Sequence, residues 1–244
     1  MNGERQDHVP SASTGFWEQL YQGRERPSNG IPNPVLASVA APLTPGRALD
    51  LGCALGDDAI WPGTRGWRVT AVDVSATALE RASARSTELG VSAQIEFEQH
   101  DLAFTFPDGT YDFISAVYLQ SPIDFRRDHV LWRATQALSP GGLLLVVTHG
   151  SGRPWAWKQD PSTPFRTPEE SLAALELDPF SGTSRSPAPR NVRPPDPTER
   201  PQRSSTSSRR CVVAAAPAQH DHTAQQARSR DGGAAAPLGG RRSE

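Results

Sequence analysis

The sequence contains little that would serve as a covalent or membrane framework. Its 244 residues include two cysteines, Cys53 and Cys211, and no hydrophobic run approaches transmembrane length. Two cysteines offer neither a disulfide framework nor metal-ligand spacing, and we interpret Cys53 as a small turn residue rather than a nucleophile. The polar segment from Met1 to Ser13 has no apolar region of a signal peptide, so we expect a cytoplasmic protein without a membrane partner.

Lysine is nearly absent, and charge is unevenly distributed. Lys158 is the single lysine against 24 arginines, and residues 180–244 carry a net charge of +6 whereas residues 1–179 carry −8. The later segment is rich in Pro and Ser and has no Trp, Tyr, Ile or Met. It cannot bury enough apolar surface to offset its conformational entropy, so we expect residues 180–244, like residues 1–13, to be disordered.

What the sequence does contain is a strand, turn, helix and strand pattern between residues 48 and 73. The runs Leu49–Leu51 and Val69–Val72 are short and apolar, as strands buried on both faces of a parallel sheet should be, and the interval fits one crossover helix. Gly52 and Gly56 lie in the turn, and Asp73 ends the second run. The pattern predicts a doubly wound α/β fold with a ligand at the carboxyl ends of the strands.

The turn indicates which nucleoside would bind. Dinucleotide enzymes use G-x-G-x-x-G to bring backbone amides against a pyrophosphate, whereas here the spacing is Gly52-x-x-x-Gly56. Asp57 and Asp58 suit the positive end of a helix but would repel a pyrophosphate. Asp73 is placed to accept hydrogen bonds from both ribose hydroxyls. An adenosyl compound without phosphates fits these features, and S-adenosylmethionine is the obvious candidate.

Further elements follow in order along the chain. They are His100-Asp101-Leu102 after the third strand, Tyr111-Asp112-Phe113 opening the fourth, and Leu138-Ser139-Pro140-Gly141-Gly142 before the fifth. With the turn and Asp73, they make residues 15–178 resemble the class I S-adenosylmethionine-dependent methyltransferases, especially small bacterial ones with a D-x-G-C-x-x-G-x-D-A-x-W signature. The resemblance implies a Rossmann-like, mainly parallel sheet, S-adenosylmethionine as cofactor, and methyl transfer.

The resemblance also implies roles for particular residues. Gly52 and Gly56 would allow close approach of the methionine part, Asp73 would bind the ribose diol, and Asp50 would steady the ligand's ammonium group. Asp101 would accept from the adenine amine, with Leu102 against the ring. A strand-end or helix-cap role is the alternative for each acid. The predicted cofactor-binding residues are Asp50, Gly52, Cys53, Ala54, Gly56, Asp73, Val74, Asp101, Leu102 and Val117.

Two departures from the family pattern lie within this region. Ala54 stands where the middle residue of the turn is usually glycine, and its methyl group would crowd the ligand, or strain the backbone if φ there is positive. The sequence Trp61-Pro62-Gly63-Thr64 interrupts the crossover helix, and an interior proline costs about 3 kcal/mol or more. We therefore expect that helix to end early or to kink.

The rest of the domain is predicted to continue the alternation of strands and helices along the chain. Strands are expected at Ile95–Phe97, Phe113–Val117 and Leu143–Thr148, and helices at Thr77–Leu89 and Arg127–Leu138, the former with Ala78, Leu79, Ala82 and Leu89 inward. Short helices are expected around residues 16–21 and 33–41. They would belong to a lid segment, residues 14–45, that precedes the main domain at residues 46–179. Trp17 and Tyr21 share one helical face, where they would line the lid or pack on the sheet edge.

Methyl transfer would proceed by in-line attack of an acceptor atom on the sulfonium methyl group, without a metal. If the acceptor needs a general base, the candidates by position are His149, Tyr118 and Gln120. Trp155 and Trp157 would form a substrate wall or part of the core. The acceptor is expected to be a small molecule that the sequence does not identify. Alternatives are an impaired methyltransferase remnant and a nicotinamide-dependent oxidoreductase, the latter disfavoured by the missing central glycine and by Asp57-Asp58.

The C-terminal part departs from the family. After a helix predicted at Glu169–Leu177, the family usually supplies an antiparallel pair of last strands, and we predict that this chain lacks them. We hypothesise that residues beyond about 180 are an out-of-frame ending. The alternative is a nucleic-acid-binding tail using Arg209-Arg210 and Arg241-Arg242, which scattered arginines without aromatics disfavour. A strand pair encoded in another frame of the nucleotide sequence would support the hypothesis, and its absence from every frame would contradict it.

Overall fold

The computed structural model describes residues 11–23, 28–123, 125–149 and 210–216, together with the isolated residues 170 and 173. In chain order the elements are α1 (Ala12–Gln22), α2 (Pro34–Ala40), β1 (Arg47–Leu51), α3 (Asp57–Gly63), β2 (Arg68–Asp73), α4 (Ala76–Glu88), a 3-10 turn (Ser92–Gln94), β3 (Ile95–Gln99), β4 (Tyr111–Val117), α5 (Arg127–Gln136), β5 (Leu138–His149) and β6 (Arg210–Ala216). None of the helices within these ranges is long and apolar enough to cross a membrane.

The six strands form one sheet in the order β3-β2-β1-β4-β5-β6, with every neighbouring pair parallel. From β1 the chain winds outward in one direction through β2 and β3, and it then crosses to the other side of β1 to form β4. The doubly wound, Rossmann-like fold is therefore confirmed. The order reverses between β1 and β4, which is where ligands bind in open α/β sheets.

The core has two layers because successive side chains on a strand point to opposite faces of the sheet. Leu145 lies in the layer that contains Trp67 and Phe113, whereas its neighbour Leu144 lies in the layer that contains Leu131 of α5. All of these side chains are buried. The central strands therefore carry apolar residues without alternation, as the sequence predicted for a sheet covered on both faces.

The crossover helix ends early, as Pro62 predicted. α3 covers only seven residues, and Thr64 is its C-cap. Pro62 lies inside the last turn, where its carbonyl oxygen accepts from the backbone N–H of Arg65 at 2.8 Å and of Trp67 at 3.2 Å. The short helix returns the chain directly to β2.

Several predicted boundaries and positions need correction. Leu89 does not face inward: α4 ends at Glu88, and Leu89 is its C-cap with 51% of its surface exposed, while Ser86 takes the fourth inward position. α5 ends at Gln136 rather than Leu138, because Leu138 already pairs with Tyr111 as the first residue of β5. α1 begins at Ala12, two residues before the predicted lid boundary.

The expectation of a tail without strands does not hold for residues 210–216. They form β6, parallel to β5, with a register that runs from Leu143 opposite Arg210 to His149 opposite Ala216. The run Cys-Val-Val-Ala-Ala-Ala is uninterrupted and apolar, which suits a strand added to a buried neighbour, and Cys211 is buried there. This strand is parallel, whereas the family resemblance implied an antiparallel pair.

The other C-terminal predictions lie outside the described residues. They concern Trp155, Trp157, the helix at Glu169–Leu177 apart from residues 170 and 173, and residues 180–209 and 217–244. The same holds for residues 1–10 of the predicted disordered N-terminus.

Replacing Trp67 with alanine should destabilise the protein by about 3–5 kcal/mol. Its side chain is 2% exposed and packs against Phe113 with ring centroids 5.8 Å apart, so truncation would leave a cavity in the core. Urea denaturation followed by circular dichroism measures the change. The matched control is Trp132→Ala, which truncates a tryptophan that is 47% exposed on α5 and should cost less than about 1 kcal/mol. Equal losses for the two variants would contradict this assignment of the core.

Candidate functional site

A cavity of about 520 Å³ opens at the carboxyl ends of β1, β2, β3 and β4. Its size lies within the range of small-molecule pockets, and its position is the point where the strand order reverses. Every predicted cofactor residue except Gly56 lines it, as do Tyr118 and Gln120. The structure therefore brings together residues that are up to 70 positions apart in the sequence.

The turn after β1 is folded back onto β2. The backbone N–H groups of Gly52 and Cys53 both donate to the carbonyl oxygen of Val72 at 2.9 Å, and Gly56 donates to the carbonyl oxygen of Cys53 at 2.8 Å. Gly52 has a φ of 73°, and a Cβ atom there would lie 2.8 Å from Leu119 Cδ1 at the cavity wall. The backbone conformation thus favours glycine at position 52, and a larger residue would also displace the end of the Leu119 side chain.

Gly56 has a structural role in the packing of the turn, and its predicted part in cofactor binding stays a prediction. It is the N-cap residue of α3, with a φ of 82°, and a Cβ atom would lie 2.9 Å from Cβ of Ala82 on α4. It does not line the cavity. What requires glycine here is the close contact between this turn and α4.

Ala54 has the positive φ that was considered from the sequence. Its φ is 50°, in the left-handed region that costs an L-residue roughly 1–2 kcal/mol. Its backbone N–H donates to Asp73 Oδ2 at 2.9 Å, and the residue lines the cavity. The hydrogen bond to a buried carboxylate helps to hold the strained conformation.

Asp73 has both a structural role and access to the cavity. Its two carboxylate oxygens accept from the backbone N–H groups of Ala54 at 2.9 Å and of Ser75 at 3.0 Å, so the side chain joins the turn after β1 to the start of α4. Burial raises the pKa of this carboxyl, and the hydrogen bonds oppose that shift. An ionised carboxylate offers about four acceptor positions, so Asp73 keeps acceptor capacity for a ligand hydroxyl.

Asp50 presents a buried carboxylate to the cavity. Ser115 donates a hydrogen bond of 2.8 Å to Oδ1, whereas Oδ2 is buried and has no hydrogen-bond partner among the described residues. Burial, together with the nearby negative charge of Asp58, raises the pKa of Asp50 to about 8. An unpartnered, buried carboxylate oxygen at a cavity wall fits a positively charged group such as an ammonium.

Asp58 is a site residue that the sequence analysis read only as part of a helix terminus. Its Oδ1 accepts from the backbone N–H of Asn33 at 2.6 Å, and burial raises its pKa to about 6. Asn33 is the N-cap of α2, where its side-chain oxygen accepts from Val35 N–H at 2.9 Å. Both Asp58 and Asn33 line the cavity. Only the Asn33-Pro34 pair, which is typical of a helix start, offered a sequence signal for this junction.

The wall of the cavity is strongly acidic. Five carboxylates line it, and among the described residues no lysine or arginine does; they are Asp50, Asp57, Asp58, Asp73 and Asp101. Asp57 is partly compensated, because its carboxylate accepts from the Ser28 hydroxyl and lies 3.9 Å from Arg85 Nε. A cationic ligand would favour the ionised form of these carboxyl groups and be attracted by it, whereas an anionic ligand would be repelled.

The N-terminal helix α1 covers one side of the cavity. Glu18 accepts from Ser75 Oγ at 2.7 Å and from the backbone N–H of Thr77 at 3.2 Å, which fixes α1 to the start of α4. Trp17 and Tyr21 lie on the same face with ring centroids 6.4 Å apart, and both line the cavity. Their position at the cavity fits the lid interpretation of this pair, which stays a prediction.

The three predicted general-base candidates are placed differently. Tyr118 and Gln120 line the cavity just past β4, and Tyr118 has a φ of 52°. Burial raises the pKa of the Tyr118 hydroxyl. His149 ends β5, and its backbone pairs with Ala216, but its side chain lies outside the described part of the chain.

Part of the chain is similar in sequence to known methyltransferases. Residues 48–142 match the sequence model of a family described as a methyltransferase domain. A probable thiol methyltransferase 2 of Arabidopsis thaliana is 29% identical over 140 residues, covering 55% of this chain and 62% of that protein. Ribosomal RNA small subunit methyltransferase C of Alcanivorax borkumensis is 30% identical over 112 residues, covering 43% and 33%. The chain spans less than two thirds of the length of either relative.

A solved structure is similar over about half of each chain. It is a SAM-dependent methyltransferase from Thiobacillus denitrificans in complex with S-adenosyl-L-homocysteine, and it is 27% identical to this chain. The superposition has a TM-score of 0.42 and covers 52% of this chain and 53% of that one.

Replacing Ala54 with glycine should stabilise the protein by about 0.5–1 kcal/mol. Relief of the left-handed conformation contributes roughly 1–2 kcal/mol, and the greater entropy of glycine in the unfolded chain subtracts about 0.4–1 kcal/mol. Chemical denaturation measures the difference. The control is Ala84→Gly, at an exposed position inside α4, which should destabilise by about 1 kcal/mol. If both variants lose stability, position 54 is not strained.

The stability of the ligand-free protein should fall as pH rises from about 4 to 8. The pKa of Asp50 is raised from 3.8 to about 8 and that of Asp58 to about 6, so between these values the folded state holds protons that the unfolded state has released. Each such group contributes a slope of at most about 1.4 kcal/mol per pH unit. Thermal unfolding across this range, compared between the wild type and Asp50→Asn, measures the effect.

Asp50→Asn should flatten that slope, because the neutral amide carries no titrating proton. Asp112→Asn, which alters an exposed carboxylate at the opposite end of the sheet, serves as the control and should leave the slope unchanged. An unaltered slope in Asp50→Asn would show that another group is responsible.

Proposed function

Because the chain belongs to the class I S-adenosylmethionine-dependent methyltransferases, whose cofactor is S-adenosylmethionine, we propose that it transfers the cofactor's methyl group to a small-molecule acceptor. The observation that carries this proposal is the unpartnered Oδ2 of Asp50, buried at the wall of an acidic cavity. S-adenosylmethionine, when bound, supplies an electrophilic methyl group on a positively charged sulfur, and it also carries an ammonium group. Both charges suit this cavity.

In this proposal, different residues of the cavity bind different parts of the cofactor. Asp50 holds the ammonium group, and the remaining acceptor positions of Asp73 hold the ribose hydroxyls. Asp101 accepts from the adenine amine, with Leu102 beside the ring. Gly52 leaves room for the methionine part, since a Cβ atom there would already meet Leu119.

Toward the methyl-accepting substrate, the chain mainly orients the two reactants and excludes water from them. Orientation of two reactants supplies about 7–11 kcal/mol of barrier reduction. Trp17 and Tyr21 on α1 cover the cavity, and Tyr118 and Gln120 face it from the end of β4. Because its pKa is raised, the Tyr118 hydroxyl keeps its proton at neutral pH. It therefore donates a hydrogen bond to the methyl-accepting substrate and does not act as a base. Gln120 Oε1 is buried and has no hydrogen-bond partner among the described residues, so it can accept a hydrogen bond from the methyl-accepting substrate.

The acidic wall favours a small-molecule acceptor over a nucleic acid. One relative is named for thiols and another for ribosomal RNA. A phosphate backbone would be repelled by the five carboxylates that line this cavity, and no lysine or arginine among the described lining residues offsets them. A small neutral or cationic acceptor meets no such repulsion.

Isothermal titration of the full-length chain tests the proposal. S-adenosylmethionine and S-adenosylhomocysteine should bind with micromolar dissociation constants. Asp73→Ala should weaken binding by about tenfold or more, because it removes the two acceptors of the ribose diol. The control is Glu96→Gln, which neutralises an exposed carboxylate on neighbouring β3 and should change the affinity less than about twofold.

Two outcomes would contradict the proposal. A folded protein, by circular dichroism, that binds neither nucleoside would contradict the function itself. Equal weakening by Asp73→Ala and Glu96→Gln would place the cofactor elsewhere.

A further inference from the structure

Asp101 lies between the cavity and the N-terminus of α1. On one side it lines the cavity. On the other, its Oδ2 accepts from the hydroxyl of Ser11 and, at 3.4 Å, from Thr14 Oγ1. Its Oδ1 accepts from the backbone N–H of Ala103 at 3.1 Å. The carboxylate is thus oriented by donors from two different parts of the chain, 90 residues apart in the case of Ser11.

Ser11 is brought to Asp101 by contacts that do not involve Asp101. Glu18 ties α1 to Ser75 and Thr77 at the start of α4, and Trp17 Nε1 donates to Ser121 Oγ at 3.3 Å beyond β4. α1 is therefore held beside the cavity by contacts with the start of α4 and with the loop after β4. Its first turn delivers the Ser11 hydroxyl to a fixed place.

The hydrogen-bonding capacity of Asp101 leaves room for one more donor. An ionised carboxylate offers about four acceptor positions. Three are used, by Ser11, Thr14 and Ala103. Rotation about the terminal bond of an aspartate is otherwise broad, so these donors select which acceptor position remains available.

We propose that Ser11 is a positioning residue for cofactor recognition: it orients Asp101 so that the carboxylate's remaining acceptor reads the exocyclic amine of adenine. This inference rests on the proposed function and deepens it. It makes preference for a 6-amino purine over a 6-oxo purine depend on α1, outside the sheet that carries the other recognition residues. A 6-oxo group would present an oxygen to the carboxylate and be repelled.

The Ser11 hydroxyl has a second role, and its two roles use different parts of the group. As the N-cap of α1, its oxygen accepts from the backbone N–H of Thr14 at 3.0 Å, while its proton is donated to Asp101. Ser11→Ala removes both interactions. Ser11→Gly removes the donor but is a tolerated N-cap, and Ser11→Thr keeps both.

The test is isothermal titration of the full-length chain with S-adenosylhomocysteine and S-inosylhomocysteine, which differ at the 6-position of the purine. The wild type should prefer the amino compound by about tenfold or more. Ser11→Ala and Ser11→Gly should each reduce that preference about three- to tenfold, the effect of one hydrogen bond, and Ser11→Thr should restore it. Asp101→Ala should abolish the preference, and adding Ser11→Ala to it should change nothing further.

The remaining outcomes overturn the inference. If Ser11→Gly weakens both compounds equally, or leaves the preference unchanged, Ser11 only supports the helix. If the wild type binds both compounds equally well, Asp101 does not read the purine, although the proposed function stands. If neither compound binds, the proposed function fails and this inference fails with it.

Discussion

The burial of β1 on both faces and along both edges is the constraint on which the rest of the structure depends. Leu49 and Leu51 are fully buried, and Asp50 lies between them with only 3% of its surface exposed. A carboxylate in such a strand is costly unless it finds partners, and the protein supplies one, Ser115 from β4. The other oxygen is left for the cavity. The central strand of the sheet therefore presents a buried carboxyl oxygen to the cavity, where a cationic group would stabilise its ionised form.

Much of this arrangement could be predicted because it is local in the sequence. Short apolar runs identified the first five strands, and Pro62 identified the early end of α3. The turn between Gly52 and Gly56, with Asp73 nineteen positions beyond Ala54, placed most of the cavity wall, because parallel strands end at one edge of a sheet. For Ala54, in a turn that normally carries glycine, the sequence left open whether the methyl group would crowd the ligand or the backbone would have a positive φ, and the structure has the positive φ.

The features that escaped prediction depend on contacts between distant segments. Gly56 is fixed by Ala82 on α4, and Asp58 faces the cavity because Asn33 binds it from another helix. Neither contact has a periodic signal. Leu89 continues the apolar pattern of α4, but the helix ends one residue earlier, at Glu88. β6 was missed because the composition of residues 180–244 concealed a run of six apolar residues, 211–216, whose pairing with β5 only the fold provides.

The position of β6 also determines what the sheet offers to other molecules. From Leu143 to Val147, β5 consists entirely of buried Leu and Val, and β6 satisfies the backbone groups along its outer side. Without that partner, the strand would be a long, flat and hydrophobic template with a row of unpaired amides and carbonyls, the kind of surface on which chains aggregate edge to edge. The seven residues of β6, far along the chain, thus cover the outer edge of a buried and apolar strand.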